Sequence, residues 1–240
     1  MENRFNLIDE DWIPVADHGR IGLGELFRNP QYRSLGGNPV QKIAILKLLL
    51  AIAQAAATPQ DDAEWQSLGS DGLAQRCLAY LEQWHANFYL YGERPFLQMP
   101  AIAAARVQQL GAVVPEVSTG NTTVLSQLQR QREMNDAERA VLLLTLMAFA
   151  LSGKKTDNSI VLSPDYGGKR NDRGKPSTGK PGPAVGHMGF LHTFLAGSNV
   201  QQSIWLNLLT HKQLDQMQLY PAGVGTPPWE AMPTGEDCPA

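Results

Sequence analysis

One stretch of the chain decides its fold class: NPVQKIAILKLLLAIAQAAA, residues 38–57. Asn38 suits a helix N-cap and Pro39 suits the first helical turn, while Thr58 and Pro59 follow the apolar run. The apolar part, residues 43–57, contains Lys47 and Gln54 and is shorter than the ~20 apolar residues of a membrane span. The stretch therefore predicts a core helix over residues 39–57, and no membrane partner.

A second helix is predicted from apolar residues that recur every three or four positions and so share one helical face. These residues are Leu73, Cys77, Tyr80, Leu81, Trp84 and Phe88. We interpret Trp84 and Phe88 as core anchors, because aromatic residues on such a stripe usually pack inward.

Two further helices are predicted from capping patterns. Asn135 with Glu138 begins a helix that continues from Ala137 to Leu151, and its VLLLTLMAFAL run implies burial on nearly all sides. Ser198 with Gln201 begins another, which carries three apolar side chains inward. These are Ile204, Leu208 and Leu209.

The strands are predicted at the start of the chain, where FNLI and WIPV flank the acidic turn Asp9 to Asp11. Short apolar runs around such a turn indicate a small β-hairpin or paired strands. Residues 91–117 contain several glycines and prolines, which predicts an irregular stretch with short elements at most. The fold class is therefore α+β, a helix-rich mixed domain with a few short strands.

The segment of residues 152–182 differs in composition from the rest of the chain, with six glycines and three prolines. It holds seven basic and three acidic residues, a local excess of +4 in a chain whose net charge is -3. This composition predicts a long basic loop. Glycines allow close approach of main-chain amides to phosphates, and basic side chains displace counterions, but a solvated connection has the same composition.

Composition excludes several classes of function. A net charge of -3 argues against a protein that coats nucleic acid along its whole surface. The two cysteines, Cys77 and Cys238, and the five scattered histidines have no zinc-site spacing, so we expect no metal. The first fifteen residues lack the features of a signal peptide, which predicts a cytoplasmic protein.

A near match to a nucleotide-binding loop occurs at GKPSTGK, residues 174–180. The next residue is Pro181 where the pattern needs Ser or Thr, and the sequence Pro181, Gly182, Pro183 does not start a helix. No nucleophile elbow, HExxH motif or Cys/His pair is present either. We therefore expect no catalytic residues, no cofactor and no enzymatic activity.

A polar run precedes the helix at Asn135 and includes Gln127 and Arg130. Amide and guanidinium groups reach base edges and phosphates, although an ordinary polar loop has the same residues.

Three stretches resemble the CasA family, the large subunits of type I-E CRISPR surveillance complexes (Cascade). They are FNLIDEDWIPV at 5–15, FYLYGERPFLQM at 88–99 and GFLHTFLAGSNVQQSIWLNLLT at 189–210. They occur in the order found in the family and are spread over most of the chain.

The resemblance implies a non-catalytic subunit of an RNA-guided complex for antiviral defence. Such a subunit binds double-stranded DNA, reads the protospacer-adjacent motif and supports recruitment of a helicase-nuclease, while base pairing to the guide reads the remaining target. The implied partners are duplex DNA, the Cascade subunits that carry the CRISPR RNA, and the helicase-nuclease.

The resemblance also implies DNA-binding residues. The family's glycine-rich motif-reading loop aligns near Gly179 and Lys180, with Gly167, Gly168 and Lys169 as a second candidate. Minor-groove recognition suits such residues, because the groove offers a degenerate pattern. Arg170 and Lys175 belong to the same basic loop. A second family loop aligns with residues 125–132, so Gln127 and Arg130 are added, although Leu125 and Gln127 depart from the family's aromatic residue and asparagine.

Family members are about twice as long and end in a helical bundle. The resemblance therefore implies that residues 1–240 form a single N-terminal domain, or most of one. An alternative function stays open, in which this part only docks on other subunits and the missing half reads the DNA.

Overall fold

The computed structural model of the 240-residue chain describes residues 2–98, 133–148, 172–173, 192–218 and 224–232. Four short strands are present in these ranges: β1 (Arg4–Asn6), β2 (Ile13–Val15), β3 (Gly19–Ile21) and β4 (Tyr89–Tyr91). The helices in these ranges are α1 (Leu23–Arg28), α2 (Pro39–Ala56), α3 (Asp62–Gln83), α4 (Asp136–Ala148), α5 (Val200–Leu206) and α6 (His211–Met217). The predicted α+β class with a few short strands is confirmed.

The two predicted runs, FNLI and WIPV, contribute to strands β1 and β2, which do not pair with each other. β1 pairs antiparallel with β4, placing Arg4 opposite Tyr91. β2 pairs antiparallel with β3, placing Ile13 opposite Ile21. The acidic turn therefore connects two different two-stranded sheets, and the indole of Trp12 spans the turn by donating to the Leu7 carbonyl oxygen at 2.7 Å. A hairpin of FNLI with WIPV across the acidic turn was therefore wrong, whereas the alternative of paired strands is confirmed, since each run pairs with another strand.

Helix α2 is the core helix that residues 38–57 predict. Its N-terminus has a complete capping box, in which Asn38 Oδ1 accepts from Gln41 N at 2.9 Å and Gln41 Oε1 accepts from Asn38 N at 3.1 Å. The helix is long and apolar enough, by length and composition, to cross a membrane, with a mean hydropathy of 1.4. However, Ile45, Leu49 and Ile52 are fully buried, and the helix packs against α3, α4 and α5.

Helix α3 buries the face that the spacing predicts, with Leu73, Cys77 and Leu81 in the core. It is interrupted by a kink at Gly69, whose positive φ of 60° is a backbone conformation that residues with a side chain rarely adopt. Phe88 is fully buried as predicted, but it lies beyond the end of the helix and leads into β4.

Helix α4 begins with the predicted capping box, since Asn135 Oδ1 accepts from Glu138 N at 2.9 Å and Glu138 Oε2 accepts from Asn135 N at 3.1 Å. The prediction of burial on nearly all sides was wrong over its described residues. The buried residues form one stripe, Ala137, Ala140, Val141, Leu144 and Thr145, and Met147 is 53% exposed. The physical reason is that leucine and methionine tolerate partial exposure, so an apolar run does not require burial all round.

Helix α5 starts one residue later than predicted. Asn199 is its N-cap and accepts from Gln202 N at 2.7 Å, while Gln201 is buried. Ile204 and Leu208 point into the core as expected, whereas Leu209 is only partly buried.

Helices α3 and α5 are joined by two stacked tryptophans. The rings of Trp65 and Trp205 lie 4.1 Å apart and nearly parallel. Each indole nitrogen donates to the main-chain oxygen of the other residue, at 3.0 and 3.1 Å. This pair fixes the distance between the two helices.

Candidate nucleic-acid interface

All nine residues proposed to bind DNA lie outside the described residues. They are Gly167, Gly168, Lys169, Arg170, Lys175, Gly179, Lys180, Gln127 and Arg130. The structure describes the elements that precede and follow their two segments. Residues 99–132 lie between β4 and α4, and residues 149–191 lie between α4 and α5. Asp172 and Arg173, both exposed, form a described turn within the basic loop.

A polar cluster joins β4 to the first turn of α4. The Tyr91 hydroxyl donates to Asp136 Oδ1 at 2.8 Å, and Arg139 Nη1 donates to the Tyr91 oxygen at 3.1 Å. Arg4 Nη1 pairs with Asp136 Oδ2, so strand β1 also contributes to the cluster. The cluster therefore holds together the chain on both sides of residues 99–132, the segment that contains Gln127 and Arg130.

The charges of this cluster shift the pKa of its members. Desolvation raises the pKa of the Asp136 carboxyl, but hydrogen bonds from Tyr91 and Arg4 and the charges of Arg4 and Arg139 outweigh it. The net pKa of Asp136 therefore lies below its ordinary value. The hydrogen bond with Tyr91 raises the pKa of Arg139 further. Asp136 is therefore a carboxylate at neutral pH.

Two further interactions add to the cluster. The Arg4 guanidinium lies over the Tyr91 ring, 4.1 Å from its centroid, in cation–π geometry. Arg20, from β3, donates from Nη1 to Asn135 Oδ1 at 3.4 Å. Three arginines from β1, β3 and α4 thus converge on the start of α4.

The stretch before α5 presents apolar side chains to solvent. Both main-chain polar groups of Leu195 bond to the Asn207 side chain, N to Oδ1 at 2.8 Å and O to Nδ2 at 2.7 Å. The side chains of Phe194 and Leu195 are 45% and 59% exposed. These residues belong to the third stretch that resembles the CasA family.

Within the described ranges, no group of three or more His, Cys, Asp or Glu side chains is placed to hold a metal ion. His85 instead pairs with Asp9, with 2.7 Å between Nε2 and Oδ2. Burial raises the pKa of the Cys77 thiol to about 12.

Sequence reasoning missed the arginine cluster. Arg4, Arg20 and Arg139 are far apart in the chain, and no spacing pattern connects them. The only local signal was the acidic first turn of α4, which the Asn135 and Glu138 capping box marks.

Comparisons with known proteins identify the class of protein. The helix-rich α+β fold is similar to solved Cse1 structures. It matches Thermobifida fusca Cse1 with a TM-score of 0.64 and 30% identity, over 86% of this chain and 39% of that chain. CasA from Thermus thermophilus matches with a TM-score of 0.64 and 22% identity, over 97% of this chain and 43% of that chain. A chain of a solved CRISPR RNA-guided surveillance complex has the same fold, with a TM-score of 0.50 and 19% identity over 63% of this chain and 36% of that chain.

Sequence comparison gives the family. The family model described as CRISPR-associated protein Cse1 matches residues 6–239. A curated relative from Thermus thermophilus, CRISPR-associated protein CasA/Cse1, is 28% identical over 231 residues, which is 90% of this chain and 42% of the relative. The chain belongs to the Cse1 (CasA) family, as the resemblance implied, and spans about two fifths of the length of these relatives.

Proposed function

We propose that this chain is a large-subunit component of an RNA-guided CRISPR surveillance complex that binds double-stranded DNA and reads the protospacer-adjacent motif. It acts in antiviral defence in the cytoplasm, without catalysis, and supports recruitment of a separate helicase-nuclease. Residues 1–240 form one N-terminal domain or most of one. The observation that carries the proposal is the family match over residues 6–239.

The distribution of charge supports the DNA-binding part of the proposal. The chain has a net charge of -3, yet residues 152–182 carry a local excess of +4. Such a segment provides a restricted phosphate-binding surface and leaves the remaining surface unfavourable for DNA. In an RNA-guided complex a few interactions with the duplex are sufficient, because base pairing reads most of the target.

The test is binding of target duplex by the guide-loaded complex, assembled with and without this chain. The duplex carries either an intact or a scrambled adjacent motif. We expect the chain to restore affinity only for the intact motif. If the chain co-purifies with the complex but affinity does not change, the alternative function as an assembly module is correct.

A variant of the basic loop tests whether residues 152–182 bind the DNA. Replacement of Lys169, Arg170, Lys175 and Lys180 by Gln is expected to weaken DNA binding. The slope of log K against log salt becomes shallower by about 0.9 for each phosphate that the variant no longer neutralises. The matched control replaces four exposed basic residues elsewhere, Arg28, Arg33, Arg76 and Lys212, by Gln. Equal slopes for the two variants would exclude the basic loop as the DNA-binding surface.

A further inference from the structure

The stretch before α5 holds two adjacent apolar side chains outside the core. Phe194 and Leu195 are 45% and 59% exposed, and Thr193 and Ala196 on either side of them are exposed as well. Transfer of apolar side chains from water to an apolar surface is favourable. This pair therefore provides a local driving force for association.

The main chain that carries the pair is held by side chains at the end of α5. Asn207 Oδ1 accepts from Leu195 N at 2.8 Å, and Asn207 Nδ2 donates to Leu195 O at 2.7 Å. Gly197 N donates to Ser203 Oγ at 2.9 Å. Because the stretch is held in place before a partner binds, association costs less conformational entropy.

The same hydrogen bonds restrict how a partner contacts the stretch. A partner that adds a β-strand needs main-chain donors and acceptors that are not yet used. Both main-chain polar groups of Leu195 are already bonded to Asn207. Recognition therefore falls to the side chains, and the complementary surface is a pocket that accepts Phe194 and Leu195.

The composition around the pair points to a protein surface as the partner. Residues 181–211 contain no Asp, Glu, Lys or Arg, although these four residue types make up 18% of the chain. The side chains that bond to residues 195–198 are neutral and polar, namely Gln202, Ser203 and Asn207. An apolar centre with few charges is typical of the core of a protein–protein interface, whereas a phosphate backbone requires basic side chains.

The size of the pair favours a subunit of a larger assembly over a second copy of this chain. A phenylalanine side chain buries about 150–250 Å², whereas a stable interface buries about 800 Å² on each partner. The exposed fractions of two side chains fall well below that area, so they do not hold two copies together by themselves. In an assembly of several subunits, other contacts supply the remaining area and a buried apolar pair acts as an anchor.

We propose that Phe194 and Leu195 dock in an uncharged apolar pocket on a neighbouring protein subunit of the RNA-guided complex. Asn207 is a positioning residue, because it holds the Leu195 main chain without forming the apolar contact itself. The proposal rests on the proposed function in one respect, that the chain is a component of such a complex. It does not depend on DNA reading.

The test measures binding of the full chain to a guide-loaded complex that lacks it, for wild type and for Phe194→Ala with Leu195→Ala. We expect the dissociation constant of the variant to rise by at least about tenfold. Since salt screens charges and not apolar contacts, the ratio of the two constants should stay the same from low to high salt. Urea unfolding of the chain should change little, because both side chains are exposed.

A second variant and a matched control make the result specific. Ala196→Glu places a carboxylate at an exposed position beside the pair and should also weaken binding, because the charge would be buried in the pocket without a partner. Met147→Ala with Val224→Ala removes two side chains that are 53% and 47% exposed and lie outside residues 181–211. We expect this control to keep the wild-type dissociation constant.

The outcomes separate this inference from the proposed function. Wild-type chain that does not bind the complex overturns both. Equal dissociation constants for the Phe194 and Leu195 variant and the control overturn this inference alone. It is also overturned if the variant loses only affinity for duplex DNA, or if only the oligomeric state of the chain changes in analytical ultracentrifugation.

One further outcome supports the inference while the DNA-reading part of the proposed function fails. In that case the Phe194 and Leu195 variant binds the complex more weakly than wild type does, and wild type adds no affinity for duplex with an intact motif.

Discussion

Asp136 connects strands β1 and β4 to helix α4 through polar contacts. Its carboxylate accepts from Tyr91 and pairs with Arg4 and Arg139, and its side chain is 22% exposed. Partly buried carboxylates with several donors stabilise the folded state more than exposed pairs do, because water screens them less.

We expect Asp136→Asn to lower the free energy of unfolding at pH 7 by about 1 kcal/mol, near the upper end for pairs close to the surface. The folded-state pKa of Asp136 is lowered, so its contribution is present above the unfolded pKa of about 3.9 and is lost as pH falls through the folded pKa. The difference between wild type and variant should therefore shrink from pH 7 to pH 3 in urea unfolding. A difference that stays constant would show that the charge of Asp136 does not stabilise the fold.

Cys77 gives a second prediction at this scale. The thiol is fully buried in α3, and burial raises its pKa to about 12. Because the thiolate is the reactive form, Cys77 should resist alkylation at pH 8 in the folded chain and react after unfolding. The measurement is mass spectrometry after iodoacetamide treatment, in a Cys238→Ser background that leaves one thiol. Rapid modification without denaturant would contradict the buried position.

At the scale of elements, a buried glutamine connects two helices. Gln201 in α5 donates from Nε2 to the carbonyl oxygens of Leu26 at 2.9 Å and Phe27 at 3.1 Å. These carbonyls belong to the last turn of α1, which has no following turn to supply donors. Gln201 therefore satisfies the C-terminal end of a six-residue helix from a distant part of the chain.

Replacing Gln201 by Leu keeps the approximate volume but leaves two buried carbonyls without this donor. We expect the free energy of unfolding to fall by about 1–3 kcal/mol. Gln75→Leu, at an exposed position of α3, is the control and should change stability by less than about 0.5 kcal/mol. Equal stabilities of the two variants in urea unfolding would contradict the role assigned to Gln201.

The N-termini of the helices show what local sequence patterns can and cannot predict. The capping boxes at Asn38 and at Asn135 were predictable because both partners lie within four residues of one another. At α5 two registers satisfy the pattern, Ser198 with Gln201 and Asn199 with Gln202. The Gln201 side chain bonds to α1 instead of to the main chain of Ser198. The helix therefore begins with Asn199 as its N-cap.

At the scale of the whole molecule, residues near the end of the chain complete the core. Trp229 packs against Phe88 and Phe96, each at a ring-centroid distance of 5.9 Å, and is 6% exposed. Its indole donates to the Tyr80 hydroxyl at 2.7 Å, and Asn87 Nδ2 donates to its main-chain oxygen at 2.7 Å. Burial and the hydrogen bond with Glu230 raise the pKa of Tyr80.

We expect Trp229→Ala to lower the free energy of unfolding by about 3–5 kcal/mol, because it removes a large buried side chain. If residues 1–240 form one domain, wild type should unfold in a single transition that circular dichroism and fluorescence report together. Met217→Ala, at a side chain 47% exposed, is the control and should have little effect. Separate transitions for the two signals would show that the chain contains more than one folding unit.

The family and the fold class followed from the sequence alone. Local patterns, namely capping residues, apolar spacing and three family-like stretches, predicted α2, the buried face of α3 and the start of α4. The proposed DNA-binding residues also came from the sequence, and they stay a prediction because they lie outside the described residues.

Only the tertiary structure decided which distant residues meet. The pairing of β1 with β4 instead of β2, the one-sided burial of α4 and the convergence of Arg4, Arg20 and Arg139 on the start of α4 have no signal in sequence spacing. The physical reason is the separation along the chain of the residues that interact. Caps and helical faces depend on neighbours within about one or two turns, whereas strand partners and ion clusters depend on how the whole core packs.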